Sequence, residues 1–377
     1  MAADGTKKNS IAPDILQHIY TEGPINRTSL AAELNLSKSA VTQHVTNFLN
    51  LGLCYEMDDL SNDRLGRTPK LLQISPDYAY ALNLIFEEER SYLAISNLAN
   101  EIIWQTSFRM NMEEAYEDRL ENVQNSIETY LKLAGLEAGQ IGLLAIAAPG
   151  YYNTREKHFY ADGIFGTWRI SDIAEEVSAT YGWQVYFEND MNAACWGEYV
   201  ARSKQVENIL YIGIGLGLGA SMIVDGKLYY GHTGEAGEIS SIEVWDQRTK
   251  SMQPLSRVVS LRALMGIMAD QGYDVKVEDI RNLIKIGDPV VSAILMDMVE
   301  TAAQVIKSCV LLLNPELIIL GGRLPEFSNI FYEGIRRALG TCDSCPTITT
   351  PLIDKEPNLN GLVQIAGEQL IKRIQED

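Results

Sequence analysis

The chain has 377 residues, of which 46% are hydrophobic and 21% charged, values typical of a globular protein and not of a disordered one. Its length accommodates two or three domains. The five cysteines are an odd number and no uninterrupted apolar run reaches about 18 residues, so we expect neither a disulfide framework nor a membrane span. Met1 to Ser10 lacks an apolar signal core, which favours a reducing cytoplasm as the location.

The net charge of −19 is unevenly distributed along the chain. Residues 1–75 hold seven Lys/Arg and eight Asp/Glu, whereas the remaining residues hold 24 and 42. An acidic body repels nucleic acid, while a nearly neutral N-terminal segment can still dock on DNA through specific contacts. The charge balance therefore argues only weakly against DNA binding, and the local motif must decide.

The first 50 residues predict three short helices. Apolar residues from Ile11 to Tyr20 recur at helical spacing, and Gly23-Pro24 ends that helix. Asn26 and Ser37 are suited to cap a second and a third helix across a short turn. Two helices joined in this way are typical of a DNA-binding helix-turn-helix, whose last helix reads the DNA. We expect the outward polar residues of the third helix to contact DNA: Ser37, Lys38, Ser39, Thr42, Gln43 and Asn47.

A wing is predicted directly after these helices. Leu53 to Met57 and Lys70 to Ile74 are strand-like, and the polar loop between them contains Arg64 and Arg67. A basic wing tip beside a recognition helix commonly enters the minor groove of DNA. Winged helices also serve as protein-interaction modules, and this alternative stays open.

The remaining 300 residues alternate strands and helices, which predicts an α/β class with two sheet-bearing lobes. A series of strand-like segments, Tyr80 to Phe86, Ser91 to Ser96 and Glu101 to Phe108, is followed by a long helical stretch from Met112 to Leu133. Ser75-Pro76-Asp77 marks the expected boundary. Further helices are predicted at Ile170 to Tyr181 and Val299 to Leu313, and further strands at Ile141 to Ala148, Gln184 to Glu188, Asn208 to Ile214, Ala220 to Val224 and Leu317 to Leu320.

Four ordered motifs in this part resemble those of ROK proteins (repressors, open reading frames, kinases). They are Glu188-Asn189-Asp190-Met191-Asn192-Ala193-Ala194 with Gly197-Glu198, the glycine-rich run Ile212 to Ala220, Ala236-Gly237-Glu238-Ile239, and Asn314 to Gly322. The N-terminal segment, with Leu36-Ser37-Lys38 and Gly66-Arg67, looks like the winged head of the xylose and N-acetylglucosamine repressor branch. The resemblance implies a two-lobed actin-like, sugar-kinase ATPase fold behind a winged helix-turn-helix.

The resemblance also implies domain bounds. Residues 1–75 are expected to form the DNA-binding domain and 76–377 the effector domain. Within the effector domain, we expect lobe 1 at about 78–190 plus a C-terminal helix at about 360–377, and lobe 2 at about 191–359.

Kinase activity is not expected, although Asp190 stands where the family kinases have their general base. A carboxylate also accepts hydrogen bonds from sugar hydroxyls without any chemistry, so Asp190 alone does not decide. The family's phosphate loop, Asp-x-Gly-Gly-Thr, corresponds here to Ile85-Phe86-Glu87-Glu88-Glu89. A carboxylate about 4 Å from a phosphate charge costs on the order of 4 kcal/mol at an effective dielectric of about 20. We therefore expect no catalytic residues, with an ATP-dependent sugar kinase carrying an appended head as the alternative.

The structural zinc site usual in ROK proteins is also not expected. Ser241 stands in place of its histidine, and Trp245 to Leu255 contains no cysteine, whereas zinc needs thiolate or imidazole ligands. The resemblance implies hydroxyl contacts from Asn189, Asp190 and Glu238. Ser241 and Ser256 replace two further polar contacts, and Trp168 lies in the substrate-side loop. We expect a ligand site, for a sugar or sugar derivative, formed by Asn189, Asp190, Glu238, Ser241, Trp168 and Gly150. A non-sugar effector stays open, as does a strand-to-helix turn in which Asn189 and Asp190 bind no ligand.

These observations predict a cytoplasmic transcription regulator. Its partners would be double-stranded operator DNA and a small effector, most simply a carbohydrate, with the chain as a homodimer or homotetramer. No cofactor, metal or membrane is expected. A protein-interaction scaffold is the third hypothesis.

Overall fold

A computed structural model describes residues 11–59, 70–87, 91–108, 116–153, 155–161, 170–327, 329–340 and 345–376. The chain divides into two compact units. The first consists of residues 1–146, 164–186 and 363–377, and the second of 147–163 and 187–362. The N-terminal head thus lies in the same compact unit as residues 76–146. Segment 147–163, which we expected in lobe 1, belongs to the second unit. The other domain bounds given above remain a prediction.

The head forms three helices and a three-stranded antiparallel sheet in the order β1-β3-β2. Its helices are α1 Ile11–Glu22, α2 Arg27–Glu33 and α3 Lys38–Asn50, and its strands are β1 Ile25–Asn26, β2 Cys54–Asp58 and β3 Lys70–Ile74. Both predicted caps are confirmed. The Asn26 side chain accepts from the amides of Thr28 and Ser29, and the Ser37 hydroxyl accepts from the amide of Ala40. Each cap satisfies donors that the first helical turn leaves unpaired.

The rest of the first unit is built on a five-stranded sheet in the order β10-β7-β4-β5-β6. Strands β4, β5 and β6 pair antiparallel as the predicted hairpin series. All six residues of β4 are buried, and the one polar side chain among them other than Tyr80, Asn83, donates to the hydroxyl of Ser96 at 2.9 Å. The elements are β4 Tyr80–Ile85, β5 Ser91–Asn97, β6 Ile102–Phe108, α4 Tyr116–Ala134, β7 Ile141–Ala148, α5 Ile170–Tyr181 and β10 Gln184–Asn189.

The second unit contains a mixed five-stranded sheet in the order β13-β12-β11-β16-β17. Strands β11 and β12 form an antiparallel hairpin, while β16 runs parallel to β11. Two small hairpins, β8–β9 and β14–β15, were not predicted from the sequence. The strands are β8 Gly150–Asn153, β9 His158–Ala161, β11 Ile209–Ile214, β12 Leu218–Val224, β13 Lys227–Leu228, β14 Glu243–Asp246, β15 Ser251–Pro254, β16 Leu317–Gly321 and β17 Thr347–Thr349.

Helices of the second unit pack around this sheet. The predicted helix at Val299 to Leu313 is wrong at its start, because α9 begins at Pro289, where Asp288 caps it and proline suits the first turn. Helix α12 begins in the second unit, and its remaining residues belong to the first. The helices are α6 Asp190–Ala201, α7 Leu261–Asp270, α8 Val277–Ile286, α9 Pro289–Leu313, α10 Arg323–Phe327, α11 Ile330–Leu339 and α12 Pro357–Glu376.

Among the described residues, α9 has the length and apolar composition to cross a membrane. Its inward face, however, belongs to the hydrophobic core of the second unit, and its outward face carries Asp297, Glu300 and Lys307. The buried core helix of a globular domain has the same length and composition. The packing therefore accounts for the apolar residues of the inward face of α9, while Met296, Leu311 and Leu312 are exposed.

Candidate functional site

Helix α3 presents one exposed polar face. Lys38, Ser39, Thr42, Gln43, Thr46 and Asn47 line a shallow depression on it. The opposite face buries Val41, Val45 and Phe48 in the core of the head. The two faces follow from helical periodicity, because residues three or four positions apart lie on the same side of a helix. Ser37, the remaining predicted contact, lies at the helix cap beside Ser39, with 3.1 Å between the hydroxyl oxygens.

Thr46 belongs to this face and was missed in the sequence analysis. Its hydroxyl donates to the carbonyl of Thr42 at 2.7 Å, and the Thr42 hydroxyl donates to the carbonyl of Lys38 at 2.7 Å. Each hydroxyl oxygen keeps acceptor capacity for an outside donor. The spacing of four residues along positions 38, 42 and 46 is the signal that identifies Thr46.

The base of the wing is well defined. Strands β2 and β3 pair from Cys54 opposite Ile74 to Asp58 opposite Lys70, where the ammonium and carboxylate lie 2.6 Å apart. Both side chains are about half exposed, so this ion pair contributes little to stability. Arg64 and Arg67 lie outside the described residues, and their role at the wing tip stays a prediction.

A second candidate site surrounds the start of α6, in the second unit. Asn189 caps this helix by accepting from the amide of Asn192 at 2.9 Å. Its side-chain amide donates to the carbonyl of Gly150 at 2.6 Å. Two of the predicted ligand residues, Asn189 and Gly150, are therefore in direct contact. Asp190 follows at the first helical position and accepts from the amide of Met191 at 2.9 Å.

A buried polar network fixes this turn. Glu188 is 2% exposed, and its carboxylate accepts from the amide nitrogen of Asn189, the side chain of Asn192 and the hydroxyl of Tyr230, all at 2.8 to 2.9 Å. Ser221 on β12 donates to Asn192 at 2.6 Å. A buried carboxylate is costly unless it is satisfied in this way, so the network holds Asn189 and Asp190 in one geometry.

The loop that carries Glu238 is clamped against the same region. A Cβ on Gly234 would overlap the carbonyl of Tyr152 on β8, and a Cβ on Gly237 would overlap the carbonyl of Ala220 on β12. Both glycines have positive φ, 101° and 97°, which other residues rarely adopt. Glu238 and Ser241 are exposed at the end of this loop, whereas Trp168 lies outside the described residues.

The segment that corresponds to the family's phosphate loop and the glycine-rich run have different surroundings. Strand β4 ends at Ile85, which is fully buried like Phe86, and Glu87 follows, while Glu88 and Glu89 are outside the described residues. The Gly213–Gly219 hairpin turn is closely packed at both ends. A Cβ on Gly213 or on Gly219 would lie 2.7 Å from side-chain atoms of Met191. These glycines therefore have a packing role that needs no nucleotide.

The segment of the usual zinc cysteines forms hairpin β14–β15. Asp246 accepts from the amide of Arg248 and the hydroxyl of Thr249, both at 2.8 Å. Burial alone would raise the pKa of Asp246, but these hydrogen bonds and the Arg248 charge outweigh it and lower the pKa. Within the described ranges, no three His, Cys, Asp or Glu side chains are grouped so as to hold a metal. The absence of a metal site stays a prediction.

Comparison with known proteins gives two family matches. The model described as "ROK family" matches residues 92–344, more than half of the chain, and the model described as "Winged helix-turn-helix DNA-binding" matches residues 8–53. A xylose repressor of Caldicellulosiruptor bescii is 24% identical, with 86% of each chain covered. A glucokinase of Streptomyces coelicolor is 28% identical over 53% of this chain and 70% of its own.

The fold is also shared with solved structures. A crystal structure described as a ROK family transcriptional regulator, homologue of the E. coli MLC protein, has a TM-score of 0.74 at 20% identity and covers 96% of this chain and 97% of its own. The predicted fold class, a winged helix-turn-helix followed by a sugar-kinase-like α/β fold, is confirmed. The chain belongs to the ROK family and carries a winged helix-turn-helix ahead of the family domain.

Proposed function

We propose that this chain is a cytoplasmic DNA-binding repressor of carbohydrate metabolism genes, controlled by a small effector. The polar face of α3 carries the proposal: six polar side chains are exposed together on the last helix of a helix-turn-helix. A helix of this kind reads base edges in the major groove through such side chains. The similarity to xylose repressors over 86% of the chain supports the same function.

DNA binding by two heads of a homodimer or homotetramer would engage two half-sites. Gln43 and Asn47 carry amides that pair with adenine, while Lys38 and the hydroxyls of Ser37, Ser39 and Thr42 suit phosphates and base edges. Arg64 and Arg67 of the wing would enter the minor groove. The near-neutral head, joined to an acidic body, makes specific contacts more important than nonspecific attraction.

The effector is proposed to be a carbohydrate that binds at the start of α6. Asp190 and Glu238 offer carboxylate acceptors, Ser241 a hydroxyl and Gly150 its backbone, with Trp168 as an aromatic face. Converting a regulator from 99% to 1% DNA-competent takes about 5.5 kcal/mol of differential affinity. Several hydrogen bonds to sugar hydroxyls supply a free energy of that order.

Fluorescence anisotropy on DNA from upstream of the protein's own gene tests DNA binding. We expect Gln43→Ala to weaken operator binding about tenfold, because a bidentate base contact is worth about 1–3 kcal/mol. Lys38→Ala should weaken operator and unrelated DNA equally and reduce the salt slope by about one. Lys285→Ala on α8 removes the same charge from an exposed position and is the matched control. Absence of any complex at low salt, or an unchanged affinity for Gln43→Ala, contradicts the proposal.

A sugar kinase with an appended head is the second candidate, favoured by Asp190 and by the similarity to a glucokinase. We propose that phosphoryl transfer is lost, because acidic residues follow β4 where the family has glycines, and carboxylates there repel a triphosphate. A coupled assay for ADP with a panel of hexoses and pentoses is expected to give background rates. Sugar-dependent ADP release that disappears in Asp190→Asn would establish the kinase instead.

A further inference from the structure

Helix α1 of the head contacts the rest of the first unit through a tyrosine. The hydroxyl of Tyr20 lies 3.1 Å from Oδ1 and 2.8 Å from Nδ2 of Asn100, so it can donate to the first and accept from the second. Asn100 follows β5 in a turn and has a φ of 62°, in the left-handed region that asparagine tolerates better than most residues. The pair joins two segments 80 residues apart in the chain.

Helix α12 completes this contact with a glycine. A Cβ on Gly367 would overlap both the Asn100 side-chain oxygen and the Tyr20 hydroxyl. Gly367 is buried within a 20-residue helix, where glycine costs up to about 1 kcal/mol relative to alanine. Its presence is therefore explained by the close approach of Tyr20 and Asn100. We call Tyr20, Asn100 and Gly367 the head junction.

The tyrosine remains a neutral hydrogen-bonding group at any ordinary pH. Burial raises the pKa of Tyr20 far above its usual value and outweighs the opposing hydrogen bond from Asn100, while Glu368 raises it further. A second contact lies along the same helix pair, where the side chain of Gln375 donates to the carbonyl of Pro13 at 3.0 Å. Helix α12 thus holds α1 at two points, near its start and near its end.

None of these groups belongs to the DNA-reading face. Tyr20 lies on α1, whereas the six side chains of that face lie on α3. Helix α1 packs on α3 within the head, so the orientation of α1 determines the direction in which α3 points. A contact that fixes α1 can therefore change how the protein engages DNA without touching it.

We propose that the head junction sets the orientation of the winged head, and that Tyr20 is a positioning residue for binding to paired half-sites. The inference rests on the proposed function. A dimer engages half-sites about 34–36 Å apart, one helical turn of DNA, which requires both heads to have defined directions. A single half-site needs only one folded head. A looser junction therefore lowers the affinity for paired half-sites, because the effective concentration of the second head at its half-site falls.

Two substitutions weaken the junction by different means. Tyr20→Phe removes the hydroxyl and leaves the ring in place, and Gly367→Ala forces α12 away from Asn100. Tyr78→Phe, at an exposed tyrosine in the same unit, is the matched control. Full-length proteins are compared on DNA that the wild type selects from a random pool, as fragments with one half-site and with two. Urea unfolding and circular dichroism verify that each variant is folded.

We expect Tyr20→Phe and Gly367→Ala to lower the affinity for two half-sites about tenfold and to leave the affinity for one half-site within about twofold. Tyr78→Phe should match the wild type on both fragments. Equal losses on both fragments would assign the junction to folding of the head, and no loss on either would leave it without a role; each result overturns the inference. If the wild type selects no DNA at all, the proposed function fails instead.

Discussion

Helices α3 and α6 both begin at a side-chain cap, but their surroundings differ. Ser37 caps α3 at the surface of the head, and Lys38 and Ser39, which follow it, are exposed. Asn189 caps α6 inside a network of Glu188, Asn192 and Ser221, and every residue from Asn192 to Tyr199 is buried. Side chains in the first turn of α3 can thus be exchanged for recognition without disturbing the core. In the first turn of α6, by contrast, a residue that contacts a ligand also affects the stability of the second unit.

A substitution that disturbs the packing of α12 against α6 should cause the largest loss in the free energy of unfolding. A Cβ on Gly361 of α12 would overlap the carbonyl of Ala193, so Gly361→Ala must push α12 from α6. We expect a loss of about 3 kcal/mol or more in the free energy of unfolding, measured in urea. Gly266→Ala on α7 is the control, because nothing lies within 4 Å of its Cβ and alanine favours the helix by about 0.5–1 kcal/mol. Equal behaviour of the two variants would show that α12 does not approach α6 closely.

A substitution in the buried network around the α6 cap should cause the second largest loss in the free energy of unfolding. Asn192→Ala removes a donor from Glu188 and an acceptor from Ser221, and both partners are buried. An unsatisfied buried polar group costs about 1–3 kcal/mol, so we expect a loss of about 2–3 kcal/mol in the same urea measurement. Asn282→Ala, at an exposed position of α8, should change stability by less than about 0.5 kcal/mol. A small effect of Asn192→Ala would mean that the network is not closed in solution.

The exposed cap of α3 should matter less. Ser37→Ala leaves the amide of Ala40 without its side-chain partner, and loss of such a cap costs about 1 kcal/mol. Ser39→Ala, two residues later, removes a hydroxyl that caps nothing and serves as the comparison. If thermal unfolding shows equal losses for both, Ser37 does not act as a cap.

The smallest effect is expected on the α3 face itself. Gln43→Ala and Asn47→Ala should change the free energy of unfolding by less than about 0.5 kcal/mol, since both side chains are exposed and neither packs in the core. The same variants are expected to lose operator affinity, so stability and function separate on α3. A loss of stability as large as that of Asn192→Ala would contradict the proposed difference between α3 and α6.

The sequence predicted the three helices of the head and the two strands that flank its wing loop, because their signals are local. Asn26 and Ser37 cap the helices that they were expected to cap, and the apolar stripe of Val41, Val45 and Phe48 is buried. Thr46 was missed although it follows Lys38 and Thr42 at the same spacing of four residues. In the body, β7 and α5 match their predicted bounds. The motif order also identified the ROK family, since each motif is a short continuous run.

Only the tertiary structure revealed the roles of residues whose partners are distant in the chain. Glycines at 237, 361 and 367 are required by backbones and side chains that approach from other elements, and nothing beside them in sequence names those neighbours. The contact of Asn189 with Gly150 and that of Tyr20 with Asn100 join positions 39 and 80 residues apart. Helical periodicity and capping act over a few residues and can be read from the chain, whereas close packing depends on which surfaces the whole fold brings together.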